Sequence, residues 1–371
     1  MQYQHERFRS LDIFRGLTIC LMIIVNTTGN WSTTYPVLLH ADWHGFTATD
    51  LVFPSFLFAV GNALAFVHRK WADKPFIKVF SKVFKRTIIL FLLGYTMYWF
   101  PFMKWGADGQ LAGFPISETR IMGVLQRIAL CYFIASLLIY FLNIKQIIYT
   151  SMGLLLSYWA ILYFGGDYEM VTNAGQFLDL AVLTESHLYH GEGVPFDPEG
   201  LLGTLPSTVN VLAGFVFGWY LLRDKLDYQF IAKSMVAGAI CIFIAYFWNE
   251  VFPINKKIWT SSYVMHTVGL DLLIIGIIMF FVDMKKKFRA FNFFETFGKN
   301  PLFIYLLSEY LAISWLFIRV QGDQSLYSWI YENIFRMFGD YFGAFLFAFV
   351  FMLICWAFGK LLERKNIYIK V

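Results

Sequence analysis

The chain has 371 residues, of which 58% are hydrophobic, 20% aromatic and only 15% charged. Soluble domains average about 45–50% apolar and about 25% charged residues, so this composition nearly excludes a water-soluble globular protein. It also excludes a disordered chain, because so much apolar surface must be buried. The net charge of +5 is modest, and the basic residues lie beside apolar runs, which indicates membrane orientation rather than nucleic-acid binding.

Ten apolar stretches are candidates for transmembrane helices, since a span needs about 20 mostly apolar residues. These runs are continuous rather than alternating, which favours helices over a porin-like barrel. We predict an all-α integral membrane protein, a bundle of about ten transmembrane helices that forms a single transmembrane domain over residues 1–371. The predicted spans lie at 11–30, 51–68, 86–103, 121–142, 146–165, 203–222, 231–250, 259–282, 299–318 and 337–360.

The loops between these stretches differ in their content of basic residues. One side of the predicted bundle carries 23 of the 30 Lys and Arg residues. Lys and Arg are retained in cytoplasmic loops, so we expect the richer side to face the cytoplasm. With an even number of spans, both termini are then expected in the cytoplasm.

The densest group of candidate residues lies in LLHADWHGFTATDLVFPSFLF, at residues 38–58, which leads into the second predicted span. A histidine near a carboxylate is typical of a general base with an orienting acid, which makes His40 and Asp50 catalytic candidates. Asp50 could instead act only as a helix cap. His40 and His44 have the spacing of a metal pair, but no third ligand of clear spacing follows, so we expect no metal.

Several polar groups lie within predicted spans. Because burial of a polar group in the membrane costs free energy, each of them is a functional candidate. Arg127 lies about two turns into the fourth predicted helix, with Arg120 on the same face, and its charge needs a carboxylate, a phosphate or an aqueous cavity. The alternative is an ion pair between helices, with Asp271 or Glu309. Asn26 comes late in the first helix, where its amide could hold a reacting oxygen or simply link helices.

The outer segment 166–202 contains seven acidic residues and no Lys or Arg. Such a loop suits a cationic or amine-bearing partner. It is equally consistent with a solvated loop that follows the overall charge asymmetry of the chain.

Six sequence blocks occur in order along the chain: RSLDIFRG, HADWHGFTATDLVFPSFLF, RIMGVLQRIAL, DPEGLLGTLPSTVNVLAGFVFG, FPINKKIWTSSYVM and FGKNPLFIY. Together, from Arg9 to about Tyr305, they resemble the heparan-α-glucosaminide N-acetyltransferase family, including its bacterial members. The resemblance implies transfer of acetyl from acetyl-CoA, across a membrane, to the amine of a glucosamine-type sugar. It also implies a multi-pass protein of the bacterial inner membrane and, by analogy, a homodimer.

The resemblance also implies roles for individual residues. The family's active histidine lies in the motif that matches HADWHG and corresponds to His40, while its important asparagine and aspartate correspond to Asn26 and Asp50. His44 departs from the family, which often has Asn there. The phosphates of acetyl-CoA are expected at five arginines, of which the first three could be topology anchors only: Arg9, Arg15, Arg86, Arg120 and Arg127. The acceptor is expected near four outer residues: Asp197, Glu199, Asn255 and Lys257.

Two other functions are compatible with parts of this pattern. Membrane sugar O-acyltransferases have a loosely similar R-x-L-D-x-x-R-G opening, although the HADWHG and LVFPSFLF blocks argue against them. A sugar or peptide transporter is also compatible with ten helices and charges at mid-membrane.

Overall fold

The computed structural model describes residues 8–71, 74–224 and 226–369, and most of them are helical. Within these ranges the α-helices are α1 (Arg9–Asn26), α2 (Val52–His68), α3 (Phe76–Trp99), α4 (Val124–Phe141), α5 (Ile144–Gly165), α6 (Ala174–Leu183), α7 (Thr204–Arg223), α8 (Tyr228–Asn249), α9 (Ser261–Met279), α10 (Asn292–Lys299), α11 (Pro301–Phe317), α12 (Leu326–Ile330) and α13 (Asp340–Arg364). Two short antiparallel hairpins pair β1 (Met103–Trp105) with β2 (Leu111–Gly113), and β3 (Arg319–Gln321) with β4 (Gln324–Ser325).

Seven helices of the described chain are long and apolar enough to cross a membrane: α2, α4, α5, α7, α8, α9 and α13. The segment 288–299 and α11 make an eighth candidate if they form one span bent by 75°. The remaining two predicted spans are helices, α1 and α3, but neither meets the same test of length and hydropathy. The all-α membrane fold is thus confirmed, whereas the count of ten spans stays a prediction.

The predicted start of α3 was wrong, whereas the other predicted starts lie within three residues of the observed ones. α3 begins at Phe76 rather than at residue 86, because its first turns carry Lys78, Lys82 and Lys85 on exposed positions and so did not register as an apolar run. α4 begins at Val124 rather than at residue 121. Arg127 therefore lies in the first turn of α4, and Arg120 lies in the preceding loop, so the two do not share a helix face.

The centre of the bundle is formed by closely packed helices. α2 and α7 meet at Gly61 and Gly214, where a Cβ atom would lie 1.9 Å from the carbonyl oxygen of Val211 and 2.0 Å from that of Phe58. Only glycine permits this approach, which lets the two backbones pack directly as small residues do in membrane bundles. α2 is thereby fixed as the support for the segment that precedes it.

Three loops meet at one end of the bundle. The loop between α1 and α2 contacts the loop between α8 and α9 through a hydrogen bond from Gly45 N to Ile254 O, 2.8 Å. It also contacts the loop that precedes α7, where the rings of Trp43 and Phe196 lie 5.7 Å apart. The sequence-predicted residues His40, Asp197 and Asn255 are brought to the same end of the molecule by these contacts.

Candidate active site

His40 and Asp50 form a hydrogen-bonded pair within the loop between α1 and α2. The Nδ1 atom of His40 lies 2.6 Å from Oδ1 of Asp50. The Asp50 side chain is 1% exposed, whereas that of His40 is 39% exposed. The carboxylate is thus a buried support, and the imidazole is accessible for chemistry.

The carboxylate of Asp50 is held by its own loop. Its Oδ2 atom accepts hydrogen bonds from Thr47 N at 2.9 Å, Thr47 Oγ1 at 3.1 Å and Ala41 N at 3.1 Å. These contacts form a capping box in which Thr47 is the N-cap of the short 3-10 turn Ala48–Leu51 that leads into α2, and Asp50 is its third residue. The hydroxyl of Tyr263, from α9, donates to the Asp50 carbonyl at 2.6 Å. Asp50 is therefore both a capping-box residue and the partner of His40.

Lys256 is a member of this site that sequence reasoning did not single out. Its Nζ atom lies 3.0 Å from Nε2 and 3.1 Å from Nδ1 of His40, although the two residues are 216 positions apart. Burial lowers the pKa of His40 below its ordinary value of 6.5; the contact with Asp50 opposes this shift, and the charge of Lys256 adds to it. Burial and the charge of Lys256 therefore favour the neutral form of the imidazole, which is the form that can accept a proton.

A second charged cluster joins the loop before α4 to the loop before α7. Arg120 donates through Nε to Asp197 at 2.9 Å, and through Nη2 to Asp197 at 2.6 Å and to Glu199 at 2.5 Å. Its guanidinium also lies over the rings of Tyr98 and Tyr189, at 4.9 and 4.7 Å. Both carboxylates are buried, so this is an interior ion cluster rather than a surface salt bridge.

Glu199 connects the two clusters electrostatically. Burial alone would raise the pKa of Glu199, but the charges of Arg120, Arg127 and Lys256 outweigh it and lower that pKa. Glu199 in turn favours the charged forms of His40 and Lys256. The site is thus a continuous set of opposite charges beside an accessible imidazole.

Arg127 does not form either of the ion pairs considered from the sequence. Its Nη2 donates to the carbonyl of Gly200 at 2.8 Å, and its guanidinium lies 5.0 Å from the ring centre of Trp259. Asp271 is instead bonded to Ser55, and Glu309 accepts from Asn26. Arg127 thus supports the loop that carries Glu199.

Asn26, the last residue of α1, is exposed, and its Nδ2 donates to Oε1 of Glu309 on α11 at 3.3 Å. The described contacts do not join Asn26 to His40 or to Asp50. Its amide is therefore bonded to a carboxylate on another helix, and its side chain is exposed at the surface of the bundle.

The other predicted acceptor residues lie in the loop between α8 and α9. Asn255 is fully buried, and its Nδ2 atom lies 3.2 Å from Nδ1 of His44. Lys257 forms an ion pair with Glu192, at 2.5 Å. These contacts place both residues in the same loop cluster as His40.

Three predicted arginines lie elsewhere in the fold. Arg9 is 3.7 Å from Glu295 and lies over the ring of Phe288 at 4.5 Å. Arg15 lies 3.4 Å from the carbonyl oxygen of Gly298. Arg86, on α3, lies over the ring of Tyr132, 4.8 Å from its centre. None of these contacts is with the His40 site. These three arginines and His40 could therefore act on the same ligand only if that ligand extends from one region to the other.

The family model described as heparan-alpha-glucosaminide N-acetyltransferase, catalytic, matches residues 7–247 of this chain. The chain belongs to this family. The matched region contains His40, Asp50 and the Arg120 cluster, and it ends before Lys256. The resemblance stated from the sequence blocks is confirmed.

Two curated relatives carry the family name over a longer match. The heparan-alpha-glucosaminide N-acetyltransferases of Mus musculus and Homo sapiens are each 28% identical to this chain, over 393 and 392 aligned residues. The alignments cover 89% and 88% of this chain but 57% of each relative. This family member therefore spans little more than half the length of those relatives.

Proposed function

We propose that this protein transfers an acetyl group from acetyl-CoA to the amine of a glucosamine-type sugar. The observation that carries the proposal is the accessible imidazole of His40, bonded at 2.6 Å to a buried carboxylate, in a chain of this family. The name of the relatives supplies the substrate class, and the site supplies a base suited to an amine acceptor.

His40 acts as the general base in this proposal. A glucosamine amine must lose a proton to attack a thioester, and a neutral imidazole can accept that proton. The free amine attacks the thioester carbon to give a tetrahedral intermediate, and the C–S bond of that intermediate then breaks. The proton that the imidazole takes from the ammonium is released to water, and the second amine proton passes through Nε2 to the departing sulfur, which leaves as the CoA thiol. In the alternative order, Nε2 attacks the thioester carbon and CoA leaves as the thiol, and the amine then takes the acetyl group as the Nε2–C bond breaks. Asp50 would orient the ring through Nδ1 in either order.

Two further groups are suited to the charge that develops on the thioester oxygen. The ammonium of Lys256 lies beside the His40 ring, and the amide of Asn26 is exposed. A positioned donor stabilises an oxyanion more than the ground-state carbonyl. We assign this role to Lys256, and we retain Asn26 as a second donor.

The acceptor would be held by the acidic side of the site. Glu199 keeps its negative charge because three cationic groups surround it, and it can attract a protonated amine into the site. Asp197 holds Arg120 in place, and Asn255 and Lys257 lie in the same cluster of loops. Arg120 thus positions Glu199, and this role is compatible with a contact between Arg120 and a phosphate of acetyl-CoA.

The donor would enter from the opposite, basic side of the bundle. The charge asymmetry of the loops supports ten spans with both termini in the cytoplasm, where acetyl-CoA is made. Arg9, Arg15 and Arg86 would contact its phosphates there, and Arg127 would lie deeper in the bundle. We propose a multi-pass protein of the bacterial inner membrane that acts as a homodimer, by analogy with the family.

The test is an assay of the purified full chain with acetyl-CoA and a panel of sugars. Free amino sugars should yield a base-stable amide and equimolar CoA thiol, whereas N-acetylglucosamine, which has no free amine, should yield neither. A base-labile ester on the second sugar would instead indicate an O-acyltransferase. Sugar uptake by vesicles without any acetylated product would indicate a transporter.

The Lys256→Met variant should raise the pKa of His40. The groups that face the imidazole are Asp50, Lys256 and Glu199, and the loss of the one cation removes a charge that opposes protonation. The pH dependence of carbethoxylation at His40, followed by peptide mass spectrometry, should have a midpoint below 6.5 in the wild type and a higher midpoint in the variant.

The matched control for this prediction is Lys257→Met. Lys257 is the neighbouring lysine, but its charge is paired with Glu192. Its variant should retain the wild-type midpoint. A midpoint that is unchanged or lower in Lys256→Met would contradict the electrostatic role of Lys256.

A further inference from the structure

A long apolar cleft runs along one side of the bundle, between α5 and α8, and encloses about 530 Å³. Buried side chains of α7 and α9 form its floor, among them Val209, Val264 and Val268. More exposed residues form its walls, such as Met152 on α5 and Ala237 on α8. His40, Asp50 and Lys256 do not line the cleft, so the proposed chemistry leaves it unused.

The cleft runs along α7 and is long enough to hold a lipid chain of one leaflet. Val209 and Arg223 both line it and are fourteen residues apart on α7, which corresponds to about 21 Å at about 1.5 Å per residue. One leaflet occupies about 15 Å of a hydrocarbon core about 30 Å thick. α5 and α8 are the least buried of the seven candidate spans, so the open side of the cleft faces lipid.

The mouth of the cleft, at the turn between α7 and α8, carries an excess of one positive charge. Arg223 donates to both carboxylate oxygens of Asp224, at 2.6 and 2.9 Å, so these two charges offset each other. Lys233 is exposed and has no ion-pair partner in the part of the chain that the structure describes. Its ammonium is available to an anionic group at the membrane surface.

The lining of the cleft selects a hydrocarbon chain rather than a polar arm. Its two buried or half-buried serines already donate their hydroxyls to backbone carbonyls, Ser151 to Ile147 and Ser234 to Leu272. The amides of a pantetheine arm would lose their hydrogen bonds to water here without replacement, which is unfavourable. An alkyl chain carries no such cost.

We propose that the cleft binds one acyl chain of an anionic phospholipid, with the phosphate of its headgroup at Lys233. The lipid belongs to the leaflet on the basic side of the bundle, where anionic headgroups attract Lys and Arg. It fills the space between α5 and α8 and joins them to the α7–α9 floor.

The test uses the purified full chain in detergent, delipidated and then mixed with phosphatidylglycerol or phosphatidylcholine of identical chains. Native mass spectrometry should show about five times as much bound phosphatidylglycerol as bound phosphatidylcholine. This ratio corresponds to the attraction of one lysine to anionic headgroups. Lys233→Gln should lose this preference, whereas Lys78→Gln, on an exposed lysine of α3, should keep it. Ala237→Phe should reduce binding of both lipids, whereas Ala239→Phe, which is exposed on α8 outside the cleft, should not.

A wild-type measurement keeps the test independent of any folding defect. Phosphatidylglycerol with a photoreactive group in its chain should cross-link to cleft residues such as Met152, Val216 and Phe230. Cross-links spread evenly over other exposed helix faces would overturn the proposal. Equal lipid binding by Ala237→Phe and Ala239→Phe would also overturn it. If Ala237→Phe changed the dimer content but not the amount of bound lipid, the cleft would be assigned to a second copy of the chain instead.

Discussion

His40→Ala should lower the rate of acetyl transfer by about 10²–10⁴-fold, the range that a general base contributes. The variant removes the imidazole that is bonded to the Asp50 carboxylate and lies beside Lys256. The rate is measured as amide formed from acetyl-CoA and glucosamine. Because the imidazole is 39% exposed, its loss should leave the fold intact.

Binding separates a catalytic role of His40 from a structural one. Acetyl-CoA should protect His40→Ala from thermal unfolding as well as it protects the wild type, since the ring is proposed to act on the reacting atoms. His190→Ala is the matched control, because His190 lies in an outer loop and its ring contacts the nearby Leu188 carbonyl rather than the His40 site. Full transfer activity in His40→Ala would refute the mechanism.

Arg120→Met should be among the most destabilising single changes in the chain. Arg120 is the hydrogen-bonded partner of two buried carboxylates, Asp197 and Glu199, with exposures of 2% and 8%. Removal of one partner of a buried ion pair costs about 3–5 kcal/mol, because it leaves an uncompensated buried charge. The unfolding temperature of the detergent-solubilised protein should fall accordingly.

The control for Arg120 is an exposed pair that resembles it only in charge. Lys104 and Glu118 lie 2.5 Å apart but are 45% and 52% exposed, so Lys104→Met should change the unfolding temperature little. Addition of Asp197→Asn and Glu199→Gln to Arg120→Met should recover part of the loss, because both buried charges are then removed. Equal unfolding temperatures for Arg120→Met and Lys104→Met would contradict the assignment.

The local part of the site was predictable from the sequence. His40 and Asp50 lie ten residues apart in one loop, and the TATD segment has the spacing of a capping box. A single turn can therefore bring the imidazole and the carboxylate together without any contribution from distant elements. The family resemblance then specified which of the two histidines to choose.

The non-local part was not predictable in this way. Lys256 reaches His40 from 216 residues away, and nothing in the NKKIW segment distinguishes Lys256 from Lys257. The pairing of Arg120 with Asp197 likewise depends on two loops that meet only in the folded bundle. Hydropathy identifies spans, but it carries no information on which loops lie side by side.

Some features of the fold were missed for local reasons. The apolar run assigned to residues 299–318 is a helix that begins at Pro301. The segment 288–299, which contains the separate helix α10, precedes it and makes an angle of 75° with it. Pro301 lacks a backbone N–H and therefore favours a helix start, so the break was visible in the GKNP sequence. α6, in the acidic outer segment, is too short and too polar on its flanks to register as a span.

The most direct test of transmembrane acetyl transfer is made in sealed vesicles that contain the protein in one known orientation. Acetyl-CoA is supplied only on the side of the termini, and glucosamine only on the side of the His40 loop. We expect N-acetylglucosamine to accumulate on the glucosamine side while both reactants stay in their own compartments. Product that forms only when both reactants share one compartment would contradict it.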